Sequence, residues 1–462
     1  MLILMTSNPK PLNAINLGFD NIDAPDIWIA AKEITSIAPG ASVDIDPDEL
    51  AYPTPFSKAG AGEYQLQAVL DTNHDYAYYN APDGGDLISE VVKASLGKDT
   101  PVVLTLAKAV PEQPMPEPHA KAIQFHSRRL SVFWGRPIEV RGWLVLPPSY
   151  ESSKTRRYPT VYVTHGFGGD FPRISKLADD YYDLLQKKSI PEMIYVVLDE
   201  SCPRGTHEFA DSVNNGPYGE ALTKELIPDL EKKYRMDGKP GGRFITGHSS
   251  GGWASLWLQV AYPSFFGGSW PTSPDPSDFH SFTGVDLLKD TNFYRKPDGS
   301  ERMLMRMKGK DVLSLQQFAQ MERVMGDYGG QMASFEYVFS PRGEDGRPMQ
   351  LFNRDTGDID RNVANAWEKY DVAKILREHW KQLGPQVNGK IHLTVGTADT
   401  FHLDEPAHRL EQTLKGLGAK ASFTYIPGRT HFDLYEGGLQ EKIAKEMYAV
   451  ARPSVKAKAG GQ

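Results

Sequence analysis

The run Gly247-His248-Ser249-Ser250-Gly251 joins a short strand-like stretch, Arg243-Phe244-Ile245-Thr246, to an apolar helical one, Trp253-Ala254-Ser255-Leu256-Trp257-Leu258. No other feature narrows the possible folds as much. Small residues two positions before and after a serine permit a tight strand-to-helix turn that lifts the hydroxyl clear of a sheet. Such a turn presupposes a sheet with a helix packed on its face, so these five residues imply a layered α/β architecture. The same letters also suit a glycine-rich helix entry with a serine N-cap. In a chain with 42 glycines the surrounding pattern has to decide between the two.

That pattern supports the turn. Candidate strands lie at 140–146 (an early antiparallel one), Thr160–Thr164, Ile194–Leu198, 243–246, 391–395 and Ser422–Ile426. Between them, Leu222, Leu226, Leu230 and Tyr234 repeat every four residues, the spacing of an amphipathic helix over 220–234. Strands alternating with helices predict a mainly parallel sheet with helices on both faces. The alternation lapses over about 271–385, read here as a helical insertion or cap with helices at 311–325 and 361–382. Residues 1–118 read differently. Short alternating runs, such as Leu2-Ile3-Leu4-Met5, 62–70 and 102–106, are punctuated by Gly, Pro and Asp and predict an Ig-like β-sandwich. Its end is the linker 110–118, whose four prolines remove backbone donors and fix φ. The expected domains are therefore 1–118 and 119–462.

Composition excludes several classes. No run of about 18 apolar residues exists to span a membrane. The formal net charge of −8 comes with no Lys/Arg block to track phosphates, which argues against nucleic acid as a partner. The single cysteine, Cys202, offers neither an internal disulfide nor metal-ligand spacing. Met1 to Met5 is too short for the apolar core of a secretion signal and reads as a strand; export would need a segment upstream.

A serine hydroxyl becomes a useful nucleophile only with a base to take its proton and dipoles to hold the oxyanion that follows. Ser249 is the candidate nucleophile. The N–H of Ser250, at a helix start, and that of Phe167, in the glycine-rich loop His165-Gly166-Phe167-Gly168-Gly169, are the candidate oxyanion donors. The acid and then the base should follow in sequence. Asp399 closes Gly396-Thr397-Ala398-Asp399 after a strand; its rival Asp404 lacks that turn. His431 follows the last strand. Of the 12 histidines, His402 and His408 lie too near Asp399, His392 falls within a strand, His248 adjoins the nucleophile and is expected to point elsewhere, and His165 reads as a loop anchor. Asn214 to Glu220 reads as a structural loop that could alternatively hold substrate. Trp253, Trp270, Phe401 and Phe432 flank the presumed loops as packing or stacking groups.

Residues 162–169, Gly-His-Ser-Ser-Gly-Gly at 247–252, the Gly396 to Asp399 turn and His431 together resemble the branch of the α/β-hydrolases that includes esterase D, feruloyl esterases and enterochelin esterases. A sandwich ahead of the catalytic domain resembles the enterochelin esterase arrangement. The runs 130–137 and 209–219 look like those of a subgroup known only as "putative esterases". The resemblance implies an α/β-hydrolase fold and serine-dependent hydrolysis of a small-molecule or polymer-linked carboxylic ester, with no cofactor and no metal. An acyltransferase or serine peptidase would use the same triad. A non-catalytic carbohydrate-binding protein on this fold is the alternative from another class. The chain departs from compact members in the roughly 150 residues between Ser249 and Asp399.

Overall fold

The computed structural model describes residues 1–9, 27–96, 101–326 and 329–453. Its centre is an eight-stranded sheet: β1 (Lys121–His126), β2 (Glu139–Val145), β3 (Thr160–Thr164), β4 (Ile194–Leu198), β5 (Arg243–His248), β6 (Gly268–Thr272), β7 (His392–Gly396) and β8 (Ser422–Ile426), in the order β1-β2-β4-β3-β5-β6-β7-β8. The pairs β1–β2 and β2–β4 are antiparallel and all others parallel. From β3 the chain turns to β4 on one side and then to β5 on the other. In open α/β sheets the crevice beyond the strand ends at such a reversal is where ligands bind. The loops leaving β3 and β5 carry Phe167 and Ser249.

The long helices are α1 (Ser175–Gln186), α2 (Ser250–Ala261), α3 (Leu315–Met325), α4 (Gln331–Phe339), α5 (Val372–Val387), α6 (Asp404–Gly416) and α7 (Leu439–Ala451). Alternate strand residues divide the core. Val145, Val161, Val163, Val197 and Phe244 face α1 and α7. Leu144, Tyr162, Val196 and Ile245 face α2, α5 and α6. The periodic run at 220–234 is helical from Tyr218 to Lys233, with a π-turn at Leu222–Leu226.

Two sheet strands escape a sequence pattern. In β1 only Ile123 is buried, so the hydrophobic signal is thin. In β6, Pro271 interrupts the ladder to β7: Ser269 N–H donates to Lys390 O at 2.8 Å and Ser273 N–H to Thr394 O at 2.8 Å, while the proline between them has no donor. The insertion expected from about 271 therefore starts only after Thr272. It also ends earlier than expected, because Val372, Ala373 and Leu376 of α5 belong to the main core. Within it, the helix expected at 311–325 begins as a strand, Lys310–Ser314, paired with Met303–Met307. Ser314 then caps α3 in a capping box with Gln317.

The N-terminal region corrects a second expectation. Its strands, among the described residues, form one antiparallel sheet of seven strands and not the two facing sheets of a sandwich. The alternation over Gly62–Leu70 is that of a strand, but the layer covering one face is helical. Leu2, Leu4, Ile27, Ile29 and Val69 pack on Tyr76, Ala77 and on Val324 and Met325 of α3. The strand expected at 102–106 starts only at Leu106, and Val103 is 77% exposed. Residues 110–118 carry no regular structure. Because Val324 is buried at this junction, Val324→Asp should lower the free energy of unfolding by about 3 kcal/mol or more and expose residues 1–118 to protease. Val324→Ala should cost about half as much. Denaturant titration of both variants checks this, and an Asp variant as stable as the Ala variant would contradict the docking.

Candidate active site

The turn at Ser249 is a matter of close backbone approach. Ser249 adopts φ 59° and ψ −125°, a conformation that L-residues hold only when the surroundings enforce it. Its N–H donates to Thr272 O at 3.1 Å and its carbonyl accepts from Trp253 at 3.0 Å and from Asp275 at 3.2 Å. Side chains at the flanking glycines would not fit. A Cβ at Gly247 would lie 2.1 Å from Thr164 Oγ1, and one at Gly251 would lie 2.5 Å from His165 O. Thr164 Oγ1 completes the lock by donating within 2.7 Å of Gly251 O.

Asp399 and His431 meet in the loops after β7 and β8, with Nδ1 and Oδ2 3.0 Å apart. Both are almost fully buried. Asp399 Oδ1 also accepts from the N–H groups of Phe401 (3.0 Å) and Leu403 (3.3 Å). Burial pushes the Asp399 carboxyl up, but the hydrogen bond and charge of His431 and the Phe401 N–H outweigh it and hold the carboxyl below its usual range. Asp404, the rival acid, instead pairs with Arg306 at 2.7 Å. No hydrogen bond joins Ser249 Oγ to His431 among the described residues; the hydroxyl lies beside the Asp275 carboxyl.

The glycine-rich loop after β3 lies against Ser249, since a Cβ at Gly166 would come within 3.3 Å of Ser249 Cβ. His165 anchors this loop: its Nδ1 lies 2.7 Å from Gly166 O and its Nε2 accepts from Glu200 N–H at 2.9 Å. From the N-terminal region, Tyr78 packs edge-on against Phe167, with ring centroids 4.9 Å apart, and its hydroxyl donates to Gly169 O. The amides of Phe167 and Ser250 have no hydrogen-bond partner among the described residues. His248 does not point elsewhere. Its ring lies 4.4 Å from that of His431, and burial pushes it down to about 3, so it stays uncharged beside that ring.

Sequence patterning did not single out the acids around this site. Asp275, on the loop after β6, accepts from Ser250 Oγ at 2.6 Å, and burial lifts its carboxyl to about 6. Glu200, after β4, is fully buried with neither carboxyl oxygen hydrogen-bonded, and burial lifts it to about 8. Burial raises Glu208 well above the carboxylate range. Lone acids outside a motif carry no sequence signal of burial. Of the aromatic candidates, Phe401 and Phe432 stand 4.9 and 5.5 Å from the His431 ring. Trp270 stacks on His392 and Trp253 on Trp257 as packing groups. Asn214 holds its loop, donating to Ser340 O at 2.9 Å.

A family model described as "Putative esterase" matches residues 134–442. Among curated proteins, the uncharacterized protein YbbA of Bacillus subtilis (strain 168) is 30% identical over 139 residues, 27% of this chain and 52% of that relative. The chain thus spans about half of that relative's length. Similar solved structures include a ferulic acid esterase (17% identity, 72% of this chain and 98% of that one, TM-score 0.42). Others are the Staphylococcus aureus S-formylglutathione hydrolase (14%, 71% and 98%, TM-score 0.42) and an Anaeromyces mucronatus ferulic acid esterase with bound ferulic acid (15%, 74% and 93%, TM-score 0.39).

Two outcomes follow from this geometry. Gly251→Ala should abolish ester turnover while Gly241→Ala, where a Cβ meets nothing, should not; equal activities would contradict the packing at the turn. Between the ordinary carboxyl value of 4.5 and about 8, folded protein keeps the Glu200 proton that the unfolded chain has lost, so stability falls as pH rises through that window. Glu200→Gln should therefore flatten the decline of melting temperature between those pH values, and parallel slopes would refute it.

Proposed function

The chain belongs to the "Putative esterase" family, whose chemistry is carboxylic-ester hydrolysis, and on that premise we propose that Ser249 acts through an acyl-enzyme with His431 as base. The observation that carries the reading is the joint placement of a strained Ser249 at the end of β5 and a buried Asp399–His431 pair at the ends of β7 and β8. Ser249 Oγ attacks the ester carbonyl and His431 takes its proton. Asp399 holds the imidazole with Nδ1–H toward itself, leaving Nε2 for the transfer, and stabilises the cation. The N–H groups of Ser250 and Phe167 receive the oxyanion at the start of α2, where the helix dipole favours negative charge. His431 returns the proton to the departing alcohol; water, activated by the same base, then releases the acid. Seating the ester draws Ser249 Oγ from Asp275 to His431, as apo hydrogen bonds often tighten only in the complex.

The proposed division is an N-terminal domain at 1–118 that serves as a wall of the catalytic centre, supported by Tyr78 against Phe167 and Gly169. Phe401 and Phe432 favour an ester with an aromatic portion, since stacked rings add about 0.5–1.5 kcal/mol beyond burial.

Ser249→Ala should cut turnover of p-nitrophenyl acetate by about a thousandfold or more and abolish labelling by a fluorophosphonate. A variant with near-normal turnover would refute the assignment. Tyr78→Ala should lower kcat about tenfold, about 1.4 kcal/mol, by loosening the loop that carries Phe167. An unchanged kcat would separate the N-terminal domain from catalysis.

A further inference from the structure

A second cavity, of about 810 Å³, opens where the N-terminal region meets the catalytic domain, and none of Ser249, Asp399 and His431 lines it. Its size falls in the range of small-molecule pockets, which favour domain junctions. Asp75 and Tyr78 wall one side; Trp134, Arg136 and the hairpin around Cys202 wall the other.

Three arginines and three carboxylates, Asp75, Glu139 and Asp199, line it. Of its three arginines, Arg141 is neutralised by Asp199 at 2.8 Å. Arg204 lies between the rings of Trp134 (5.2 Å) and Tyr337 (4.8 Å). Neither Arg204 nor Arg136 has a carboxylate partner among the described residues. The facing acid, Asp75, is lifted to about 7 by burial and by Asp71, Asp83 and Asp86, which weakens it as a counter-ion. Glu139 is exposed at the rim. The Tyr218 hydroxyl lies in the field of both Arg141 and Arg136.

Two guanidinium groups without carboxylate partners and the Tyr218 hydroxyl, all lining one cavity, suit an acceptor with negative charge. We propose that this cavity binds a small oxyanion, a carboxylate or a phosphate ester, with Arg204 and Arg136 as charge partners and Tyr218 as hydrogen-bond donor. The guanidinium held between two rings supplies charge in a fixed orientation, so little entropy is lost on binding. The site is also linked to the loop after β3. Tyr78 lines the cavity and holds Gly169 O, and Asp199 lines it 3.6 Å from His165 Nε2.

Isothermal titration of the full chain with inorganic phosphate and with succinate, at constant ionic strength set by chloride, tests this independently of ester chemistry. A saturable heat is expected for at least one anion, with affinity at least about tenfold weaker in Arg204→Gln and in Arg136→Gln. Arg136 is exposed, so Arg136→Gln should melt with wild type and read binding alone. Tighter phosphate identifies a phosphate ester, and tighter succinate a carboxylic acid. No saturable heat with either anion, or an affinity unaltered by either substitution, overturns the site.

Discussion

The contact on which this molecule depends is between backbones with no side chain between them. Helix α2 starts so close to the end of β3 that Gly251 touches the carbonyls of Thr164 and His165, and Gly247 touches the Thr164 hydroxyl. Three elements meet there: the strand that ends at Ser249, its helix and the loop that carries Phe167. Any methyl group would force them apart. The strain at Ser249 is maintained because the neighbouring hydrogen bonds to Thr272, Trp253 and Asp275 leave the residue no relaxed alternative. The Ser249 hydroxyl thus owes its position to the absence of side chains at the glycines around it.

The parts of this arrangement legible in the sequence are those with local signatures. Gly247 to Gly251, the β-branched runs of β3 and β4, and the order of Asp399 and His431 each have a pattern that a strand, turn or loop imposes on its own residues. What escaped depended on partners far along the chain. Strand β6 holds a proline that argues against a central strand, and it survives because β5 pairs with it fully while β7 tolerates one missing bond. The sandwich expectation failed for a related reason. Alternation states that a strand has two faces; it does not state that one of them will meet α3 more than 200 residues later. Adjacency to Ser249 predicts that His248 points elsewhere, yet its ring lies 4.4 Å from that of His431.

Around the pair of Asp399 and His431, the protein buries more acid than its hydrogen bonds satisfy. Asp399 is held ionised by donors that reach both of its oxygens. Among the described residues Glu200 has no such donors and Glu208 has none at Oε2, and burial favours their neutral forms. Carboxyl groups of one chemistry thus favour opposite protonation states through differences in hydrogen bonding.

The docking of the N-terminal sheet has a consequence for how the chain is made. Residues 2–6, 27–31 and 62–70 leave the ribosome before the helix containing Val324 and Met325 exists. At synthesis rates of about 5–20 residues per second, the sheet waits on the order of ten seconds or more with Leu2, Leu4, Ile29 and Val69 facing water or whatever protein lies nearest. A nascent chain of this kind exposes an apolar sheet surface until the helix at Leu315–Met325 has emerged, and whatever shields that surface in the meantime protects it from association with other chains.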